Sequence, residues 1–145
     1  MSSLTAYGIS LQLPAAWEGY AFQHAGGEPT VHLASFRLPH ADGEFGSRTT
    51  AEMPVDGLFL ALTEYRVVGR LDTGIFAGPP PRRLLPDQLC AHTLLRPVAG
   101  QRGAQRFFSS SGRAFCLYVV AGREGSHRLN AANGVLASIE IERRG

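Results

Sequence analysis

Leu58-Phe59-Leu60-Ala61-Leu62-Thr63-Glu64-Tyr65 is the stretch on which the fold turns. Its first five residues are apolar without alternation, so a strand built from it would find water on neither face, and a central strand buried on both sides is expected. Its length and composition would also suit a short helix. The turn dipeptide Asp56-Gly57 immediately upstream favours the strand.

Other extended segments lie on either side of it. Ile9-Ser10-Leu11-Gln12-Leu13 alternates strictly and Pro14 ends it by removing an amide donor. Tyr20 to His24 and Val31 to Leu38 read as strands separated by the turn residues Gly26-Gly27-Glu28-Pro29. The aperiodic stretch from His40 to Thr50 reads as a mobile surface loop. Downstream, Leu84 to Leu89 reads as a short turn of helix, and Thr93 to Val98 and Gln105 to Ser109 as strands. Ser110-Ser111-Gly112-Arg113 turns the chain into Ala114 to Val120, forming a hairpin. A helix is expected from about His127 to Ala137, with Ser126 as N-cap and Leu129, Ala132, Val135 and Leu136 on one side, weakened by Gly134. Ser138 to Glu142 alternates again and closes the sheet as an edge strand. The expected fold is a single α+β domain over residues 1–145, an antiparallel sheet of about six to eight strands with one C-terminal helix packed on it.

The 145 residues suffice for one core without metals or disulfides, and 44% apolar with 18% charged residues is a globular composition. All fourteen basic residues are Arg. The absence of lysine excludes Schiff-base chemistry, a pyridoxal-phosphate anchor and a Walker-type phosphate loop. Net charge is +2, but residues 1–65 hold two Arg against seven acids and residues 66–128 ten Arg against three. Interleaving of these halves in the fold is expected to cancel most of the field, and no arginine-rich arm points to nucleic acid. The opening MSSLTAYG lacks the features of a signal peptide, and no apolar run approaches the ~20 residues of a membrane helix. A cytoplasmic chain with two reduced thiols, Cys90 and Cys116, is the reading.

Gly8-Ile9-Ser10-Leu11-Gln12-Leu13-Pro14-Ala15-Ala16-Trp17, a strand followed by Pro and Trp, resembles the start of PsbP-like and Mog1-like domains. The ending, Gly112 to Val120 followed by a helix and Val135-Leu136-Ala137-Ser138-Ile139, is similar to the close of small actinobacterial domains. Together these cover about a quarter of the chain. The resemblance implies a scaffold for binding a protein or a small ligand, with helices on both sides of its sheet, and carries over no catalytic residue.

Several residue groups invite chemistry. Cys90-Ala91-His92 places an imidazole two residues from a thiol, on one face if the segment is extended. A packed Cys beside a surface His is the plainer account, and Cys116 sits in an apolar strand. His24 and His32 flank the Gly26–Pro29 turn symmetrically; a hairpin centred on Glu28 would set them opposite, ~5 Å apart at Cβ, with His40 as a further ligand. Neither cysteine has the spacing to complete a zinc site, so no metal and no cofactor are assigned. Glu64 ends the apolar run, where desolvation could make it a base. A partner such as Arg106 would make it structural. Arg82-Arg83 follow three prolines, positioned for an acidic partner.

Two readings of function follow. The first is an accessory or protein–protein interaction module without catalysis, docking on a protein partner or on itself through Trp17, Tyr20, Phe45, Phe76, Arg82 and Arg83, residue types that interface hot spots favour. The second is a small ligand-binding protein or enzyme with a pocket lined by Glu64, Cys90 and His92. Lack of any catalytic motif at correct spacing favours the first.

Overall fold

The computed structural model describes residues 1–144. Its strands are β1 (Ser2–Ala6), β2 (Ile9–Leu13), β3 (Glu18–Phe22), β4 (Thr30–Ala34), β5 (Leu58–Tyr65), β6 (Arg102–Ser110), β7 (Arg113–Ala121) and β8 (Glu140–Ile141), with helices α1 (Ser47–Ala51) and α2 (Leu129–Ser138). The fold is α+β, as expected, but the strands divide between two antiparallel sheets. Five form the order β3-β4-β5-β7-β6 and three the order β1-β2-β8.

The Leu58–Tyr65 run is the middle strand of the larger sheet, pairing with β4 from Thr63 to Phe59 and with β7 along its whole length. All of its residues but Tyr65 are buried. On one face Leu58, Leu60 and Leu62 pack with Phe115, Leu117 and Val119 of β7 against Ile9, Leu11 and Leu13 of β2 and the buried side of α2. On the other, Phe59 and Ala61 join Tyr118 and Val120 under Leu38, Leu94, Phe45 and Met53. Consecutive side chains of a strand point to opposite faces, so a sheet covered on both sides demands a run without alternation.

Both tight hairpins use the same chemistry. Tyr7-Gly8 links β1 to β2 and Ser111-Gly112 links β6 to β7, and all four residues have positive φ. That conformation matches the twist of the strands they join and tolerates Gly at the second position. The strand over Ser2–Ala6 has no apolar alternation to announce it; it forms because β2 offers an edge.

Several expectations are corrected. Thr93 to Val98 is not a strand: a short 3-10 turn, Ala91–Thr93, leads into irregular chain, and only Cys90 bridges the sheet, at Gly103. Neither Leu58–Tyr65 nor Leu84–Leu89 lays a long helix on the second face. Loop segments and the one-turn α1 cover it. The 40–50 stretch is ordered by Asp42, whose carboxylate accepts from the Arg48 and Thr49 amides at 3.1 and 2.8 Å. Ser126 is no N-cap, because a 3-10 turn, Ser126–Arg128, precedes α2 and no side chain caps either element. The four residues expected on the buried side of α2 are its buried residues.

Candidate functional site

Trp17 and Tyr20 come together in a groove of about 520 Å³ between the two sheets. One wall is β1, contributing Ser2, Ser3 and Leu4; the other begins at Trp17 and continues along β3. Each of these strands ends its sheet, so each has one side of its backbone unpaired. Leu13, Leu38 and Pro39 make the floor apolar. Gly19 permits the close approach of the walls, because Leu4, Leu13 and Leu33 occupy the place a Cβ would take.

Local chemistry holds the walls in position. The Trp17 amide donates to the Pro14 carbonyl at 3.2 Å, closing a turn in which Ala16 adopts φ 68. A left-handed Ala is strained by about 1–2 kcal/mol, and this strain sits at the residue that delivers Trp17. Glu18 accepts from the Leu38 amide at 2.9 Å and the Tyr20 hydroxyl donates to the Pro39 carbonyl at 3.3 Å. Burial, reinforced by the Asp42 charge, pushes the Tyr20 phenol above its ordinary pKa, so it stays a neutral donor. Leu38, Pro39 and His40 also line a second groove, of about 480 Å³, that runs on past Phe36 to Thr49 and Glu52.

The other expected binding residues lie elsewhere. Phe45 packs edge-on against Tyr118 with ring centroids 5.9 Å apart, on the second face of the large sheet. Phe76 joins Tyr65 and Phe107 in an aromatic trio. Arg82 is exposed, and its Nη1 donates to the carbonyls of Leu136 and Ile139 at the end of α2, at 3.3 and 2.7 Å. Arg83 is exposed.

Glu64, Cys90 and His92 do not meet. Through the ladder Glu64 lies level with Phe115 and Phe108, whereas Cys90 bridges Gly103, five residues or roughly 17 Å further along β6. Arg113, not Arg106, is the partner of Glu64, donating to both carboxylate oxygens at 2.7 and 3.1 Å. Arg106 lies a strand further out and turns to the Gln105 carbonyl. Arg144 also reaches Glu64, at 2.6 Å, and bridges it to Glu28, which Arg66 pairs in turn. These bonds hold the Glu28 carboxyl below its ordinary range although burial pulls the other way.

Among the described residues no three His, Cys, Asp or Glu side chains are grouped to hold a metal ion. The His24–His32 juxtaposition fails on register: β3 pairs with β4 so that Tyr20, not His24, faces His32. His24 instead contacts the Asp42 carbonyl at 3.2 Å, and His32 the Glu44 carbonyl at 2.9 Å. Cys90 is exposed and Cys116 buried, both as free thiols, and burial pushes the Cys116 thiol up to about 12.

The apolar floor was beyond sequence reasoning: Leu4, Leu13 and Leu38 become one surface only when the sheets stack. The alternation of β2 was the one signal that Leu13 is inward-facing. Comparison of the chain with family models, curated proteins and solved structures returns no match. No helix of the described residues is long and apolar enough to cross a membrane.

Proposed function

We propose that this protein is a docking module without catalysis of its own, which takes up an extended segment of a partner protein in the groove lined by β1 and β3, on one of their free edges. The carrying observation is that two unpaired strand edges flank one apolar groove holding Trp17 and Tyr20. Strand addition uses such edges: the backbone ladder supplies affinity and pockets for alternate side chains supply specificity. The other outer edge of the large sheet, β6, is partly occupied, by Cys90 pairing at Gly103 and by the Gly78 carbonyl accepting from Ser109. The likeness of the strand-Pro-Trp opening to PsbP-like and Mog1-like domains supports the same reading. Two unpaired thiols suit a reducing compartment such as the cytoplasm.

Site-specific photo-crosslinking in the native host tests this. A photoreactive phenylalanine analogue at Ser3 or Trp17 is expected to capture one defined protein through an extended segment, while the same analogue at the exposed Val68 captures none. Equal capture from all positions, or none from the groove, defeats the reading. A crosslink between two copies of this chain would replace the partner by self-association.

A further inference from the structure

Resting on the docking reading above, we infer that the partner segment adds antiparallel to the outer edge of β3, at Gly19 and Ala21, and that it carries apolar residues followed by a basic one. The backbone hydrogen bonds locate this edge. The Ser35 amide donates to the Leu58 carbonyl and the Glu64 amide to the Pro29 carbonyl, at 3.1 and 3.0 Å, so in the β4–β5 register the odd-numbered residues of β4 bond to β5. Thr30, His32 and Ala34 therefore bond to β3, at Phe22, Tyr20 and Glu18, and the amides and carbonyls of Gly19 and Ala21 point outward. On β1 the same alternation turns Ser3 and Thr5 outward, because Gln12, level with Ser3, directs its amide away from β1 to the Ser138 hydroxyl at 2.9 Å.

What stands above and below the two edges separates them. Beside Gly19 the groove has apolar walls on both faces of the large sheet: Leu4, Leu13 and Trp17 pack with the core under β2 and α2, Tyr20 and Leu38 with the core on the opposite face. A strand sends alternate side chains to opposite faces, so a segment at this edge seats both sets. A segment on β1 would seat only the set on the side of Leu4, because the exposed Ser3 and Thr5 side chains turn the other way.

Register and charge then give the segment its chemistry. Residues directly across an antiparallel pair project to the same face. Taken from its N-terminus, the segment lies across Ala21, Tyr20, Gly19 and Glu18 in turn. Its residues across Ala21 and Gly19 point to the side of Leu4 and Leu13 and are apolar; the one across Tyr20 meets that ring and Leu38 and is aromatic or apolar. The fourth lies level with Glu18, the one carboxylate among the residues lining the groove, which no arginine lines. Glu18 is exposed and accepts from the Leu38 amide through Oε1 alone. Opposite charges directly across a strand pair attract and like charges repel, so an Arg or Lys belongs there and an acid does not.

Amide exchange followed by NMR on the intact chain tests this with an acetylated, amidated peptide, Val-Tyr-Val-Arg flanked by threonines, and its counterpart with Glu in place of Arg. At saturation the first peptide is expected to slow exchange at Gly19 and Ala21 about tenfold and to leave Ser3 and Thr5 unchanged. The Glu peptide should bind about two- to fivefold more weakly, and Glu18→Gln, which keeps an acceptor for the Leu38 amide, should erase the difference. Ala21→Pro removes an outward amide that the fold does not use, a change an edge strand accepts, and should abolish binding while Thr5→Pro on β1 retains it. Should Ala21→Pro not fold, the wild-type exchange decides. Slowing at Ser3 and Thr5 in place of Gly19 and Ala21, equal binding of the two peptides, binding retained by a folded Ala21→Pro, or slowing that grows with protein concentration in the absence of peptide overturns the inference and leaves the groove's docking role standing. Absence of binding by either peptide at about 1 mM also overturns the assigned segment, and the docking reading then stands or falls on capture in the host.

Discussion

Glu64 and Arg113 are both nearly excluded from water, their side chains 5% and 4% exposed. Arg113 also donates to the Glu142 and Tyr7 carbonyls, so one guanidinium joins β5, the β1–β2 turn and the C-terminal segment. Breaking a buried pair by removing one partner leaves an uncompensated charge, typically at a cost of about 3–5 kcal/mol. Glu64→Gln is therefore expected to lose about 3 kcal/mol or more in urea denaturation, and Glu64→Gln with Arg113→Met to recover part of it. A single variant within about 0.5 kcal/mol of wild type would show that Arg144 and solvent screen the site. The two thiols should differ sharply: a chromogenic disulfide reagent at pH 8 is expected to label Cys90 at once and Cys116 only on unfolding, since the latter thiol is held near pKa 12. That Glu64 would be desolvated was legible from its place at the end of an apolar run. Its partner was not, because Arg113 is 49 residues away and meets it through the β5–β7 register, diagonal to the Phe115 position.

Helix α2 shows how an element with weak local signals is held by its surroundings. No side chain caps its start, and Gly134 stands within it with open space where a Cβ would be. Gly134→Ala is expected to raise stability by about 0.5–1 kcal/mol in thermal or chemical denaturation. A loss instead would mean that the open space is needed. At its other end Arg82 supplies the positive charge that the last carbonyls favour, and Asn133 exchanges two hydrogen bonds with the Leu84 backbone, both 2.8 Å. Arg82→Ala should cost about 1–2 kcal/mol and raise amide exchange in the last turn of α2 before it does so in β5. The proline-rich segment around Arg82 thus serves as a brace across the helix end. Sequence spacing identified the buried side of α2 because that side repeats locally; the brace joins residues 54 and 57 positions apart, for which no periodicity exists.

Across the whole molecule, the opposite charge of the two halves is put to use in pairing. Arg66 meets Glu28, Arg113 meets Glu64 and Arg128 meets Asp56, each an arginine from the basic half with an acid from the other. The order of opening should follow the layers: amides of β5 and β7 are expected to exchange slowest, those of the 40–52 segment and the irregular 66–100 stretch fastest. Early exchange in β5 would contradict its place at the centre. Local pattern alone determined the α+β class, the two-sided burial of Leu58–Tyr65, the Ser111-Gly112 hairpin and the apolar side of α2. Each follows from interactions within a few residues, or from a period that any burial must respect. Only the tertiary structure decided that the strands split into two sheets, that loops cover the second face, that Trp17 and Tyr20 line one groove and that His32 faces Tyr20 rather than His24. Those outcomes rest on register and on contacts between distant segments, where a shift of one residue moves every side chain to the other face.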